Sequence, residues 1–130
     1  MSLDDVTSIE EEFKQAIRSA EDGDYGEAAL RFYLVVCHAV NALLRLNDLE
    51  PVECKSRQMD KAVYRLSKIY GDVVLRAFNT AFKMYHMYHL EELPASKEEL
   101  LDEAWKIEEL IDLVRNEVRW ATTRNTETRS

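Results

Sequence analysis

The sequence predicts an all-α protein, a single-domain up-and-down bundle of about five helices. Three observations predict it. Glycine and proline, the residues that interrupt helices, number only three and two in 130 residues. Leu, Ala, Glu, Lys and Arg, which favour helices, fill the stretches between them. Apolar residues in those stretches recur at intervals of three and four, the period of a helix with one face turned to a core.

One domain over residues 1–120 accounts for most of this length. Such a chain buries roughly two-thirds of its unfolded surface and needs no covalent staple. The first helix is expected from about Asp4 to Ala20, with Val6, Ile9, Phe13, Ile17 and Ala20 on its inner face. Glu10, Glu11 and Glu12 fall mostly off that face and read as a solvated surface. Glu21-Asp22-Gly23 breaks the chain. Asp24 followed by Glu27 has the form of a capping box opening the second helix.

The second helix runs to about Leu46 and is apolar almost all round, as a helix at the centre of a bundle must be. Its few polar residues are ordered. Glu27, Arg31, His38, Asn41 and Arg45 are spaced 4, 7, 3 and 4 apart, so they share one narrow stripe.

A loop around Pro51 leads to a third helix, from about Ser56 to Tyr70. Met59, Ala62, Val63, Leu66 and Ile69 form its apolar side, and Arg57, Lys61, Arg65 and Lys68 its basic side. Gly71 ends it. The fourth helix, from about Asp72 to Leu90, carries Val73, Val74, Ala77, Phe78, Ala81, Phe82, Tyr85 and Tyr88. After Leu93-Pro94-Ala95, Ser96 and Glu99 form a second capping box. The fifth helix then reaches about Trp120, with Leu100, Ala104, Ile107 or Trp105, Ile111, Val114 and Val118 inward. Residues 121–130 are polar and read as a disordered tail.

The net charge is −8, unevenly spread. Residues 1–24 and 77–114 each carry −6, whereas residues 55–76 carry +4. The balance argues against a DNA-binding protein, and no DNA partner is expected. The third helix's basic side, Arg57, Lys61, Arg65 and Lys68, is nonetheless an anion patch. No stretch reads as a membrane span, and the acidic segment from Met1 to Glu12 is unlike a secretory signal. The expected location is the cytoplasm. Cys37 and Cys54 form no C-x-x-C or zinc pattern and read as reduced, structural thiols.

The candidate chemistry lies on the second helix. Arg31, His38, Asn41 and Arg45 form a stripe for a ligand or partner. Arg31 and His38 also suit metal-independent RNA cleavage, with His38 as general base and Arg31 on the phosphate. His86 and His89 share a helix face, but they lack the third and fourth ligands that a metal needs, so no metal or cofactor is expected. No glycine-rich phosphate loop or hydrolase motif is present.

Two segments carry a family resemblance. Ala20-Glu21-Asp22-Gly23-Asp24-Tyr25, leading into Ala28, Arg31, His38-Ala39 and Leu43-Leu44, resembles the first helical hairpin of HEPN domains. Phe78, Ala81, Tyr85-His86 and His89-Leu90-Glu91, then Leu93 and Ser96, resemble the signature of the small archaeal PaREP family. Within it, His86 and Glu91 match the signature directly. The resemblance implies a helical bundle, often dimeric, with a long hairpin at its centre. HEPN relatives include ribonuclease toxins and non-catalytic binding modules. The ribonucleases carry an Arg, a polar residue and a His late in the domain, whereas here Phe32 follows Arg31 and the pair lies early. The leading expectation is therefore a non-catalytic module that binds a nucleotide, RNA or a protein partner, as a homodimer. The alternatives are a metal-independent HEPN-type ribonuclease using Arg31 and His38, and a structural homodimeric subunit closed by the apolar excess of the second helix.

Overall fold

A computed structural model describes the backbone of residues 3–129 and the side chains of residues 5–123. Among them there is no strand. The helices are α1 (Leu3–Glu21), α2 (Tyr25–Leu46), α3 (Arg57–Tyr70), α4 (Asp72–Met84), α5 (Lys97–Leu101) and α6 (Ala104–Arg129). A π-helical turn, Tyr85–Leu90, extends α4.

Every other helical element packs against α2. At 22 residues it is about 33 Å long, and Phe32, Val35, Val36, Cys37, Val40 and Leu43 along it are fully buried. Its length and mean hydropathy are those of a membrane-crossing helix. Here that apolar surface is covered by the chain's own helices.

Local turns set the crossings. Gly23 takes a positive φ of 85°, and the Asp24 N–H reaches back to the Ser19 carbonyl at 2.9 Å, closing α1. Asp24 sits at the start of α2 but makes no side-chain cap, its backbone lying outside the extended conformation of a capping residue, and Glu27 turns along the helix to Arg31. Gly71, at φ 90°, ends α3 and lets α4 begin one residue later. The Ser96 cap forms as expected, its Oγ accepting from the Glu99 N–H at 3.2 Å.

The long last helix is instead two. Asp102 and Glu103 tighten into a turn, with the Glu103 N–H on the Leu100 carbonyl at 3.3 Å. Leu100 before the turn and Ala104 after it both lie in the core. Ile107 is the inward residue of that stretch, whereas Trp105 is 52% exposed. Ile69, expected inside, is also exposed, since α3 is covered on one side only. No glycine or proline follows Pro94, and α6 continues to Arg129 through most of the stretch read as a tail. Ser130 lies outside the described residues.

The end of the expected fourth helix differs most. From Tyr85 the turns widen, and the Glu91 N–H bonds to the His86 carbonyl five residues back at 3.0 Å. Such turns recur at functional sites. This one docks on the start of α2, where His89 Nδ1 lies 3.1 Å from the Gly26 carbonyl oxygen. A Cβ on Gly26 would sit 3.0 Å from the Tyr88 carbonyl oxygen. That oxygen belongs to backbone already held at Glu99 and Gly26 by the flanking side chains, so it yields little. Gly26→Ala is expected to destabilise the fold by about 1 kcal/mol, although alanine is the better helix former. Urea unfolding measures this, and an unchanged or higher midpoint would show that the π turn accommodates the methyl.

Candidate functional site

The polar stripe of α2 faces α1 and the α2–α3 loop. Arg31 donates from Nη1 to Gln15 Oε1 at 2.8 Å and ion-pairs with Glu27 at 3.1 Å. His38 Nδ1 lies 2.7 Å from Glu12 Oε2. Asn41 clamps the loop through both ends of its amide. It donates to the Val52 carbonyl at 3.0 Å and accepts from the Val52 N–H at 2.9 Å. Arg45 borders a cavity of about 150 Å³ with Glu12, His38 and Asn41. Three of the four stripe residues thus hold neighbouring segments of the chain. Arg31 and His38 stand two turns apart on the helix, and each has its own intramolecular partner.

The acidic run of α1 is part of this seam rather than a solvated face. Glu12 meets His38, and Glu10 meets Arg115 of α6 at 3.1 Å. Only Glu11 stays on its own helix, with Lys14.

A different place gathers cations and rings. Between the start of α3 and the π turn lies a groove of about 310 Å³, bordered by Lys55, Arg57, Phe82, Tyr85, His86 and Leu90 among others. Its floor is a stack. Tyr33 of α2 lies on Tyr85 with centroids 4.6 Å apart and an interplanar angle of 17°. Tyr85 stacks in turn on His89 at 5.3 Å. Its wall is Phe82, 40% exposed, with the His86 ring 4.3 Å away. Lys55 Nζ stands 5.5 Å over the Tyr85 ring. Asp60 supplies the one carboxylate on this rim.

The basic side of α3 is exposed, as expected, but divided. Arg57 borders the aromatic groove, whereas Lys61 and Arg65 border a second depression near Leu44 and Val52. Lys68 sits 4.7 Å over Tyr64. Among the described residues, Arg57, Lys61 and Arg65 make no ion pair. Of the two signature residues, His86 lines the groove and Glu91 is exposed beyond it. His86 and His89 serve different neighbours, Phe82 and Gly26. Among the described residues, no three His, Cys, Asp or Glu side chains converge as metal ligands. The larger depressions hold less for a ligand. One of about 550 Å³ carries Glu27 and Glu92 but no Lys or Arg, and in one of about 470 Å³ Lys83 and Lys106 stand among Glu99, Asp102 and Glu103, with Lys106 already paired to Glu103.

Sequence reasoning found Arg57 and His86 but did not join them, and it missed Lys55 and Phe82 as partners. The four-residue steps Phe82–His86 and Tyr85–His89 were the available signal, since such pairs stack on one helix face. Nothing in the sequence aims the loop residue Lys55 at them.

Fold and site together define an all-helical bundle, a central buried hairpin helix with a cationic, aromatic groove at one end. The model of the archaeal PaREP1/PaREP8 family matches residues 4–111, and the chain belongs to that family. No curated protein and no solved structure matches it.

The His38–Glu12 contact has a pH signature. The hydrogen bond to Glu12 raises the His38 pKa above its ordinary 6.5, against an opposing effect of burial. A raised folded-state pKa means that the pair's stabilisation is full below pH 6.5 and is lost as pH rises through the folded value. Both side chains are part-exposed, so the contribution stays below about 1 kcal/mol. In an NMR titration, the His38 midpoint is expected above 6.5 in wild type and lower in Glu12→Gln. A midpoint indifferent to that substitution would show that Glu12 does not hold the ring in solution.

Proposed function

We propose that the chain is a HEPN-like, cytoplasmic, non-catalytic binding module. Its ligand carries a base and a phosphate, as a nucleotide or a short single strand of RNA does. The observation that supports this most is the pairing of Lys55 and Arg57 with the exposed Phe82 ring and the half-buried His86 beside it on one groove. A base stacked on an aromatic ring contributes about 1–3 kcal/mol, whatever its identity. An Arg free of carboxylate partners offers a bidentate fork to a phosphate. With a net charge of −8, binding is confined to this local basic region, which disfavours long duplexes. Trp105 and Trp120, both more than half exposed on α6, are the surface available to a homodimer or a protein partner.

A second reading is favoured by one contact. A histidine held by a carboxylate, as His38 is by Glu12, has the arrangement of an oriented general base. On that reading the protein is a metal-independent ribonuclease.

Fluorescence anisotropy with a short labelled RNA, and with AMP as competitor, tests the binding reading. Saturable, salt-sensitive binding is expected. It should weaken at least about tenfold in Lys55→Ala/Arg57→Ala and again in Phe82→Ala, with helicity unchanged. Absence of saturable binding, or affinity indifferent to these residues, would refute the groove as the site. RNA cleavage in EDTA that disappears in His38→Ala would favour the second reading instead.

A further inference from the structure

Beside the groove, the two cysteines meet. Cys37 projects from the middle of α2 and is fully buried, while Cys54 lies half-buried in the segment between α2 and α3. Both are free thiols. Cys37 Sγ is also 4.0 Å from the Cys54 carbonyl oxygen. That carbonyl is fixed from the other side, accepting a hydrogen bond from the Tyr33 hydroxyl at 2.7 Å. Asn41 anchors the same segment two residues earlier, at Val52. Three residues of α2 therefore hold Cys54 over Cys37. Two cysteines 17 positions apart reach this proximity only through the loop's return onto the helix.

We propose that Cys54 and Cys37 are a peroxide-reactive dithiol that closes to an intrachain disulfide, tying the α2–α3 segment to the central helix.

The environment divides the roles. Cys54 is the thiol more readily ionised, its pKa lowered to about 7 by the hydrogen bond with Cys37 and by the positive neighbours His38 and Lys55. Burial and the charge of Glu12 act in the opposite direction. Cys37, bonded to Cys54 and buried, is pushed far up and stays protonated. A thiolate at an accessible edge is the nucleophile, and a protonated thiol beneath it is the resolving partner.

The chemistry balances. The Cys54 thiolate attacks one peroxide oxygen, an S–O bond forms and the O–O bond breaks. The departing hydroxide takes a proton and leaves as water, with sulfur oxidised and peroxide reduced. Cys37 Sγ then attacks the sulfenic sulfur, an S–S bond forms and the S–O bond breaks. The hydroxyl leaves as a second water with the Cys37 proton. One peroxide thus consumes two thiols and gives one disulfide and two waters. Residues 47–56 are free of helix, so the segment can absorb the side-chain rotation that bonding requires.

This inference does not depend on what the groove binds. The test uses the full chain, reduced, treated with hydrogen peroxide, then alkylated and weighed intact. The expected product is lighter by about two hydrogens, carries no alkyl group and reverts with dithiothreitol. Trypsin places the cysteines on separate peptides, 32–45 and 46–55, so the cross-link appears as their joined mass. Cys54→Ser should form no cross-link and leave Cys37 unoxidised. Cys37→Ser should stop at a sulfenic acid that dimedone traps on Cys54. Should that buried substitution fail to fold, the wild-type masses and Cys54→Ser still decide. Two cysteines that remain alkylatable, sulfinic acid without a cross-link, or a disulfide joining two chains would each overturn the proposal.

Discussion

The structure depends on enclosing one helix. α2 is apolar on nearly every side, and such a surface is stable in water only if neighbours cover it completely. No single helix can do that. The rest of the chain is arranged as cover: α1 on the polar stripe, α4 and α6 along the length, and α3, α5 and the π turn toward the ends. Each covering helix needs only a one-sided apolar face, which is why α1 and α3 carry many charges beside theirs and α2 few.

The one polar stripe of α2 shows how the cover is registered. A buried apolar helix can slide against its neighbours at little cost, whereas polar pairs fix its position. His38–Glu12 and Arg31–Gln15 set the register of α1, and Asn41–Val52 sets the loop. Tyr33, on the adjoining face, pins Cys54 and stacks on Tyr85. The groove and the dithiol are both consequences of this loop placement, because Lys55 follows Cys54 directly.

Much of the fold was legible because helix period and breaker residues act locally. The ends of α1 and α3 follow from Gly23 and Gly71, whereas α2 ends at Leu46, where Asn47 caps it ahead of Pro51. The Ser96 cap follows from its S-x-x-E spacing. The π turn was not legible, since Tyr85–Leu90 has ordinary helical spacing, and the widening accompanies its docking on Gly26. The break at Asp102-Glu103 was hidden for a like reason, both residues being adequate helix formers. For the site, the sequence showed which residues share a helix face but not what faces them. The spacing of Arg31, His38 and Asn41 placed them on one stripe, yet the run Glu10-Glu11-Glu12 gave no sign that Glu12 would meet His38. Arg57 and His86, 29 positions apart, come together only through the crossing of α3 and the π turn.

The claim that α2 is the enclosed hub is tested most directly by native-state hydrogen exchange. A helix whose apolar face is fully buried has no local route to solvent on that face. The amides of residues 28–44 should exchange only through global unfolding, with an opening free energy equal to that of denaturant unfolding. Amides of α3, covered on one side, should open at lower cost. Exchange of the α2 amides through a smaller opening than global unfolding would contradict the account, because the other helices would then hold together without it.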